Sequence, residues 1–527
     1  MADERLTQGR HHLLNGRRAL RLGFREDGQR YFQAALLRFR SPELRLGEAH
    51  ALRGLAEAAL AMDLVDEAET QVRAALATYQ EIPALVEAFQ ETCSEGSEED
   101  QETRASLESV RSGAREGEVA SWALLGEVLS RRGHLEAAEA ALESAQNRFG
   151  DLQESAAAAE VYGVHGRVAQ REERIDDART WFDRAVQAHH DAANKEGEIV
   201  SRLHLAEVVR QLGDIDVAYA TLHEALRLAR DMDEELLEGR VLCALGEVAL
   251  EARHDAEAAS YFDDALSAAR IAGDIERQAQ ALVGRGTAGG RRGEADAIPT
   301  MFEGIKILGE WPGQLGLAPA LLRLGNHARR VGEARLALAT SEVARRMYLT
   351  RDPIGGQGQA LRTQVKALAQ LGLGETTLCA AFAREKLAGA LRPNAVEVAE
   401  WYAERAPDEV VDKLRAEPLE SLMTTTRTTL EQILEADLQL AALAREDLDD
   451  VDKALGLISV MVEELVRDKP RLSVRPVVGR TEEPAVLRKG GPDAPTESAS
   501  DAAADSEKGD DGEYKSLEDV YGSLYES

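Results

Sequence analysis

Ala206-Glu207-Val208-Val209-Arg210-Gln211-Leu212-Gly213-Asp214-Ile215-Asp216-Val217-Ala218-Tyr219-Ala220-Thr221-Leu222-His223-Glu224-Ala225 reads as the end of one helix, a tight turn and most of a second helix. Gly213 followed by Asp214 is helix-stop and turn chemistry. Beyond it, Ala218, Leu222 and Ala225 fall at i, i+4 and i+7, so one helix face presents a small, a large and a small side chain. Ala206, upstream of the turn, is the small residue of the first helix. The segment is an α-hairpin.

The same pattern recurs along the chain. A small residue in an apolar stretch is followed 19 positions later by a second residue, usually small, at Gly16 and Ala35, Ala56 and Ala75, Gly126 and Ala145, Gly166 and Ala185, Gly246 and Ala265. Weaker pairs follow at Gly286 and Ile305, Gly325 and Ala344, Val365 and Arg384. The first members step by 40 residues, save one step of 70 and one of 39. A large knob precedes most second members by three positions (Phe32, Val72, Leu142, Phe182, Phe262, Phe302), and an alanine usually precedes them by seven (Ala68, Ala138, Ala178, Ala258, Ala337). Nine hairpins of about forty residues are expected, stacked into an all-α solenoid.

Trp122-Ala123-Leu124-Leu125-Gly126-Glu127, followed by Glu136-Ala137-Ala138-Glu139-Ala140-Ala141-Leu142-Glu143-Ser144-Ala145, resembles tetratricopeptide repeats (TPR). The likeness is to the longer variant found in sensor arms of maltose-regulator-type transcription factors and related bacterial signalling proteins. It covers about residues 10–390 and weakens in the last unit, where Thr377, Ala381 and Arg384 replace the expected residues. The resemblance implies a right-handed superhelix of hairpins whose concave groove binds proteins or peptides. The expected organisation is units one and two over 1–85, an acidic insertion loop over 86–115, units three to nine over 116–392, a helical extension over 393–468, a disordered acidic linker over 469–513 and a short docking motif over 514–527.

Composition bounds the rest. Aromatics are only 4% of the chain against 44% hydrophobic residues, so the core must be built from Ala, Leu and Val, which suits close helix packing. A net charge of −32 disfavours general nucleic-acid binding and adhesion to anionic lipid. Cys93, Cys243 and Cys379 form no closely spaced pair, Met1-Ala2-Asp3-Glu4 opens no apolar leader, and no run of some 18 apolar residues occurs, so a soluble cytoplasmic protein is expected.

The insertion holds the acidic stretch Glu91 to Asp100, read as a solvated spacer or a regulatory site. Past residue 393 helical patterns cover Asn394 to Ala406, Asp408 to Ala416 and Leu419 to Asp468. Within the last, Leu430-Glu431-Gln432-Ile433-Leu434 through Val462-Glu463-Glu464-Leu465 resembles helices leading from TPR arrays into GAF-type sensor domains. Residues 481–527 hold 13 acidic and 4 basic residues, a composition expected to be disordered. Tyr514, Leu517, Val520, Tyr521, Leu524 and Tyr525 place an apolar stripe at helical spacing there, either a segment that folds into a groove of this chain or a partner, or chance residues in an acidic tail.

No enzyme signature emerges. Gly284-Arg285-Gly286-Thr287-Ala288-Gly289 matches a dinucleotide fingerprint, but it lies inside a repeat's first helix with no strand before it. These glycines and Pro299 mark unit seven for a local irregularity. His189-His190 reads as a surface pair and Cys243 as a core residue. No cofactor, metal or catalytic residue is expected. In a TPR array the residue just after the central small position, and those three or four further on, face the groove. Here they are Arg17, Arg21, Arg131, Arg167, Arg171, Arg210, Arg291, Arg329, Arg330 and Lys366, with Glu57, Glu127, Glu207 and Glu247 among them. The cations either pair with those acids or seek an anionic ligand. The expected function is a non-enzymatic scaffold or adaptor in bacterial signalling or assembly, binding a peptide or acidic protein segment. The alternatives are a sensor of a small ligand or peptide, and, third, an enzyme.

Overall fold

The computed structural model describes residues 2–39, 44–92, 98–148, 156–310, 316–351, 355–388, 399–400, 402–404, 406, 408–435 and 451–467. All lie in one compact unit, residues 1–474. The stripe expected from Tyr514 to Tyr525 falls outside the described residues, as does Cys93. No strand occurs among the described residues.

Nine helix pairs follow one another: α1 (Ala2–Arg21) with α2 (Arg25–Arg38), α3 (Arg45–Ala61) with α4 (Val65–Thr92), α5 (Glu98–Arg131) with α6 (Leu135–Gln146), α7 (Ala156–Arg171) with α8 (Ile175–Asp191), α9 (Lys195–Gln211) with α10 (Ile215–Asp231), α11 (Glu235–Glu251) with α12 (Asp255–Ala272), α13 (Ile275–Arg292) with α14 (Ala297–Glu310), α15 (Leu317–Arg330) with α16 (Ala334–Arg351), and α17 (Gly355–Gln370) with α18 (Gly374–Ala388). The array is an all-α solenoid of hairpins, as the repeat implies.

The turns follow from backbone chemistry. Gly133 and Gly213 take φ of 82° and 87°, the left-handed conformation that closes a helix. The next residue then donates back into the last turn, His134 N–H to Leu129 O at 2.9 Å and Asp214 N–H to Val209 O at 3.1 Å. Asp63, Glu173 and Arg253 hold the same left-handed place in their units without glycine.

The small residues are seats for the knobs. A Cβ added to Gly166 would lie 2.7 Å from the Phe182 ring, and one added to Gly246 would lie 2.7 Å from the Phe262 ring. Each ring also reaches the next unit's first helix: Phe32 sits between Gly16 and Gly54, and Phe262 between Gly246 and Gly284. Phe32, Phe182 and Phe262 are almost wholly buried. One knob therefore closes its own hairpin and the junction to the next.

Unit seven departs from the ladder by register. Gly286 faces Met301, fully buried, rather than Phe302. Ala297, Met301 and Gly304 occupy the positions filled by Ala138, Leu142 and Ala145 in unit three, because Ala297 follows the left-handed Gly293 one residue sooner than Ala138 follows Gly133. This explains the single step of 39 and the poor match at Ile305. The glycines leave α13 unbroken, and Pro299 falls in the first turn of α14, where its missing N–H removes no helical bond.

The insertion corrects the expectation of a loop over 86–115. α4 continues through Thr92 and α5 begins at Glu98, so the extra residues lengthen two helices that pack together. Val86 and Ala114 are buried, with Leu107 and Val110 against them, and Arg111 reaches Glu87 at 3.0 Å. His189 is a second correction: only His190 is at the surface, while the His189 ring is buried beneath Gly197 and touches Asn194 Nδ2 at 3.2 Å.

Beyond the repeats come α19 (Asp408–Ala416), α20 (Leu419–Glu435) and α21 (Val451–Arg467). α20 packs on α18, which buries Leu378 through Ala383 on all sides, so unit nine is an internal pair and its apolar period vanishes. α21 turns back onto α14 and α16, burying Leu455, Ile458, Met461 and Val462. No helix among the described residues is long and apolar enough to cross a membrane.

Candidate functional site: the inner wall

Packing separates the two faces of the solenoid. Each first helix, from α1 through α17, touches the next first helix directly, whereas the second helices form no comparable layer. The first helices therefore make the inner wall, and the second helices splay over the outer one.

Arginines on this wall fall into two groups. One ties the units together. Arg131 donates to Leu60 O at 3.0 Å, Arg291 donates to Leu250 O, and Arg171 donates to Ser130 Oγ at 2.8 Å. Each reaches the last turn of the preceding unit's first helix, where the helix dipole favours a cation and the Leu60 and Leu250 carbonyls accept the guanidinium in addition to a turn N–H. Gln370 does the same to Arg329 O at 3.1 Å. Arg291 also meets Asp255 at 3.1 Å.

The other group faces acids across the wall. Arg167 grips Glu127 Oε2 at 2.7 and 3.2 Å, and Arg131 approaches the same carboxylate at 3.5 Å. Burial would raise the Glu127 carboxyl, but Arg167, then Arg131 and Arg171, override it and hold the group at about 2. Arg210 pairs with Glu207 at 2.7 Å and also with Glu251, while Arg323 makes a fork to Glu247 at 2.7 and 2.8 Å. Arg21 meets Glu196 at 2.8 Å. Arg329 is half-buried and Arg330 exposed at the end of α15, and Lys366 is half-buried on α17, away from the Glu127 cluster.

Among the cations on or beside this wall, Arg17, Arg171 and Arg240 have no carboxylate at ion-pair distance among the described residues. Arg17 is exposed on α1, Arg171 bonds only Ser130, and Arg240 makes neither a hydrogen bond nor an ion pair. Burial lowers the pKa of Arg171 and of Arg240, with neighbouring guanidinium groups adding to the effect. Arg240 is a half-buried charge short of a counter-ion, whereas Arg171 is exposed and is offset in part by Glu127.

Sequence reasoning missed Arg53, Arg240 and Arg323, which lie upstream of the small residue on the same helix face. A search one or two turns in both directions would have found them. Arg53 approaches Glu57 at 3.4 Å. Burial raises the Glu57 carboxyl against the pull of Arg53, and Glu160 adds to the rise. Beside them Tyr79 Oη and His50 Nδ1 lie 2.7 Å apart, and burial pushes His50 down to about 3 and Tyr79 up to about 12.

Paired helices at a forty-residue pitch, with knobs in glycine seats and an inner wall of first helices, settle the architecture. It is TPR-like. No family model and no curated protein sequence matches the chain. Among solved structures, a Rap protein complexed with competence and sporulation factor is similar at 13% identity, with a TM-score of 0.39, over 82% of this chain and 98% of that one. Yeast Tom70 is similar at 12% identity and 0.34, over 88% and 98%. A signal-transduction ATPase with a tetratricopeptide repeat sensor, from Pyrococcus horikoshii, is similar at 14% and 0.37, over 67% of this chain and 54% of that one.

Proposed function

We propose that this protein is a non-catalytic scaffold that receives an acidic segment of a partner protein against its inner wall. The observation that carries this reading is the set of guanidinium groups at Arg17, Arg171 and Arg240 that lack an ion-pair partner among the described residues, on a chain whose net charge is −32. In so acidic a protein an arginine held half-buried without a counter-ion, as Arg240 is, is destabilising unless a ligand supplies one, and Arg17 and Arg171 add exposed cations on the same wall. A carboxylate does so with two parallel hydrogen bonds. A role in bacterial signalling or complex assembly belongs to the same proposal.

Fluorescence anisotropy with a fluorescein-labelled decaglutamate peptide tests it. Binding is expected to weaken at least tenfold in Arg17→Ser/Arg240→Ser, by roughly 1.5–3 kcal/mol for each charged hydrogen bond lost. The outer-face control Arg227→Ser should leave it unchanged. Equal affinity for parent and double variant, or equal binding of a decalysine peptide, would overturn the reading.

A further inference from the structure

The first hairpin touches more than its neighbour in sequence. Its apolar side is committed to unit two, because Leu13, Phe32, Ala35 and Phe39 form one cluster with Ala51, Leu55 and Ala58. Its turn reaches far along the chain through charge instead. Arg21, at the end of α1, meets Glu196 in the first turn of α9 at 2.8 Å, and Arg25, at the start of α2, meets Glu276 in the first turn of α13 at 3.5 Å. Units one, five and seven are thus joined across the inner wall. These are ion pairs, with no shared apolar cluster.

That difference decides which contact can part. The α1–α3 contact buries aromatic and aliphatic side chains, so it is lost only with the fold. The Arg21–Glu196 pair leaves its side chains 47% and 38% exposed, a geometry that contributes little and is screened by salt. Arg25 and Glu276 are more enclosed, at 12% and 23%, and Glu276 is shared with Arg277 at 3.5 Å. Both bridging cations belong to the amino-terminal hairpin, and both bridging acids sit where helices begin, with Glu196 and Glu276 stabilised by the helix dipole. An incoming carboxylate offers Arg21 and Arg25 the same partner chemistry that Glu196 and Glu276 provide.

The geometry points to a latch: the α1–α2 hairpin, held on Glu196 and Glu276, closes the inner wall, and an acidic segment opens it by taking Arg21 and Arg25. This rests on the proposed groove function and adds its regulation. Binding and opening are then coupled, because the ligand favours the state in which those two arginines are released. Removing either pair raises the open-to-closed ratio by about two- to fivefold.

Spin labels on the full chain measure it directly. With Cys93→Ser, labels at Arg30→Cys on α2 and Arg227→Cys on α10 occupy side chains that are 75% and 59% exposed. Their separation should lengthen in 0.5 M NaCl, in Glu196→Gln/Glu276→Gln at low salt, and on adding decaglutamate. The charge-swapped Arg21→Glu/Glu196→Arg should stay closed at low salt. An unchanged separation in the double glutamine variant overturns the latch. So does peptide that binds while the separation stays fixed, a result that leaves the groove reading intact. Opening by salt and by the double glutamine variant without peptide binding supports the ion-pair closure and overturns both its release by an acidic segment and the groove function.

Discussion

Gly284 and Gly358 show how one residue type answers to two kinds of neighbour. A Cβ on Gly284 would lie 2.3 Å from the Phe262 ring, whereas one on Gly358 meets nothing within 4 Å. Both lie within helices, where alanine is intrinsically better than glycine by about 1 kcal/mol. At Gly284 overpacking of a rigid aromatic, at about 1–3 kcal/mol, outweighs that gain. Gly284→Ala should therefore destabilise and Gly358→Ala stabilise, read as opposite shifts of the urea midpoint. Shifts of the same sign would show that the ring moves aside. The literal fingerprint at Gly284 to Gly289 is explained at this scale too: its glycines serve a neighbouring ring, Met301 and the Glu294 carboxylate.

The hairpin is the unit that the sequence made legible. Its period, its Gly-Asp turns and its small-large-small face together specify both helices and the seat between them. Legibility failed where that local code was overridden. The acidic run Glu91 to Asp100 suggested a loop because polarity was read without Val86, Leu107, Val110 and Ala114, whose contacts join two extended helices. In unit seven the loss of one residue between the left-handed glycine and Ala297 moved the knob from Phe302 to Met301, a shift no fixed ladder can follow. On the inner wall the downstream arginines were visible, but their division into inter-unit ties and uncompensated charges depends on neighbours some forty residues away. Turns yield a further test. Arg253 occupies the left-handed position, φ 66°, that glycine fills at Gly213. Arg253→Gly should raise stability by up to about 1 kcal/mol by relieving that backbone penalty. Thermal melts should show the gain, and a lower midpoint would mean that the arginine side chain outweighs it.

Across the whole molecule, buried imidazoles set the acid limit. His50 and His204 are held at about 3, and His165 and His327 at about 4, by burial first and nearby arginines second. Each binds its proton more readily when unfolded, at the ordinary value of 6.5, so stability falls as pH drops from 6.5 toward 4. Each contributes on the order of 1–2 kcal/mol to that loss at pH 5. Glu127, held at about 2, keeps its contribution until pH falls below 4.5. The thermal midpoint should thus drop between pH 7 and pH 5, and His204→Phe, retaining the stack on Phe182, should flatten the drop. An identical slope in the variant would remove His204 from the account.

The return of α21 onto α14 and α16 gives the two ends of the array unequal fates. One cluster runs from Ala279 to Val462 and merges units seven to nine with the extension, while units one to three are divided among several smaller clusters. Fraying therefore starts at the amino end and travels inward, and the carboxyl end melts as a single block. A repeat protein usually unzips from either terminus, but here one direction is barred.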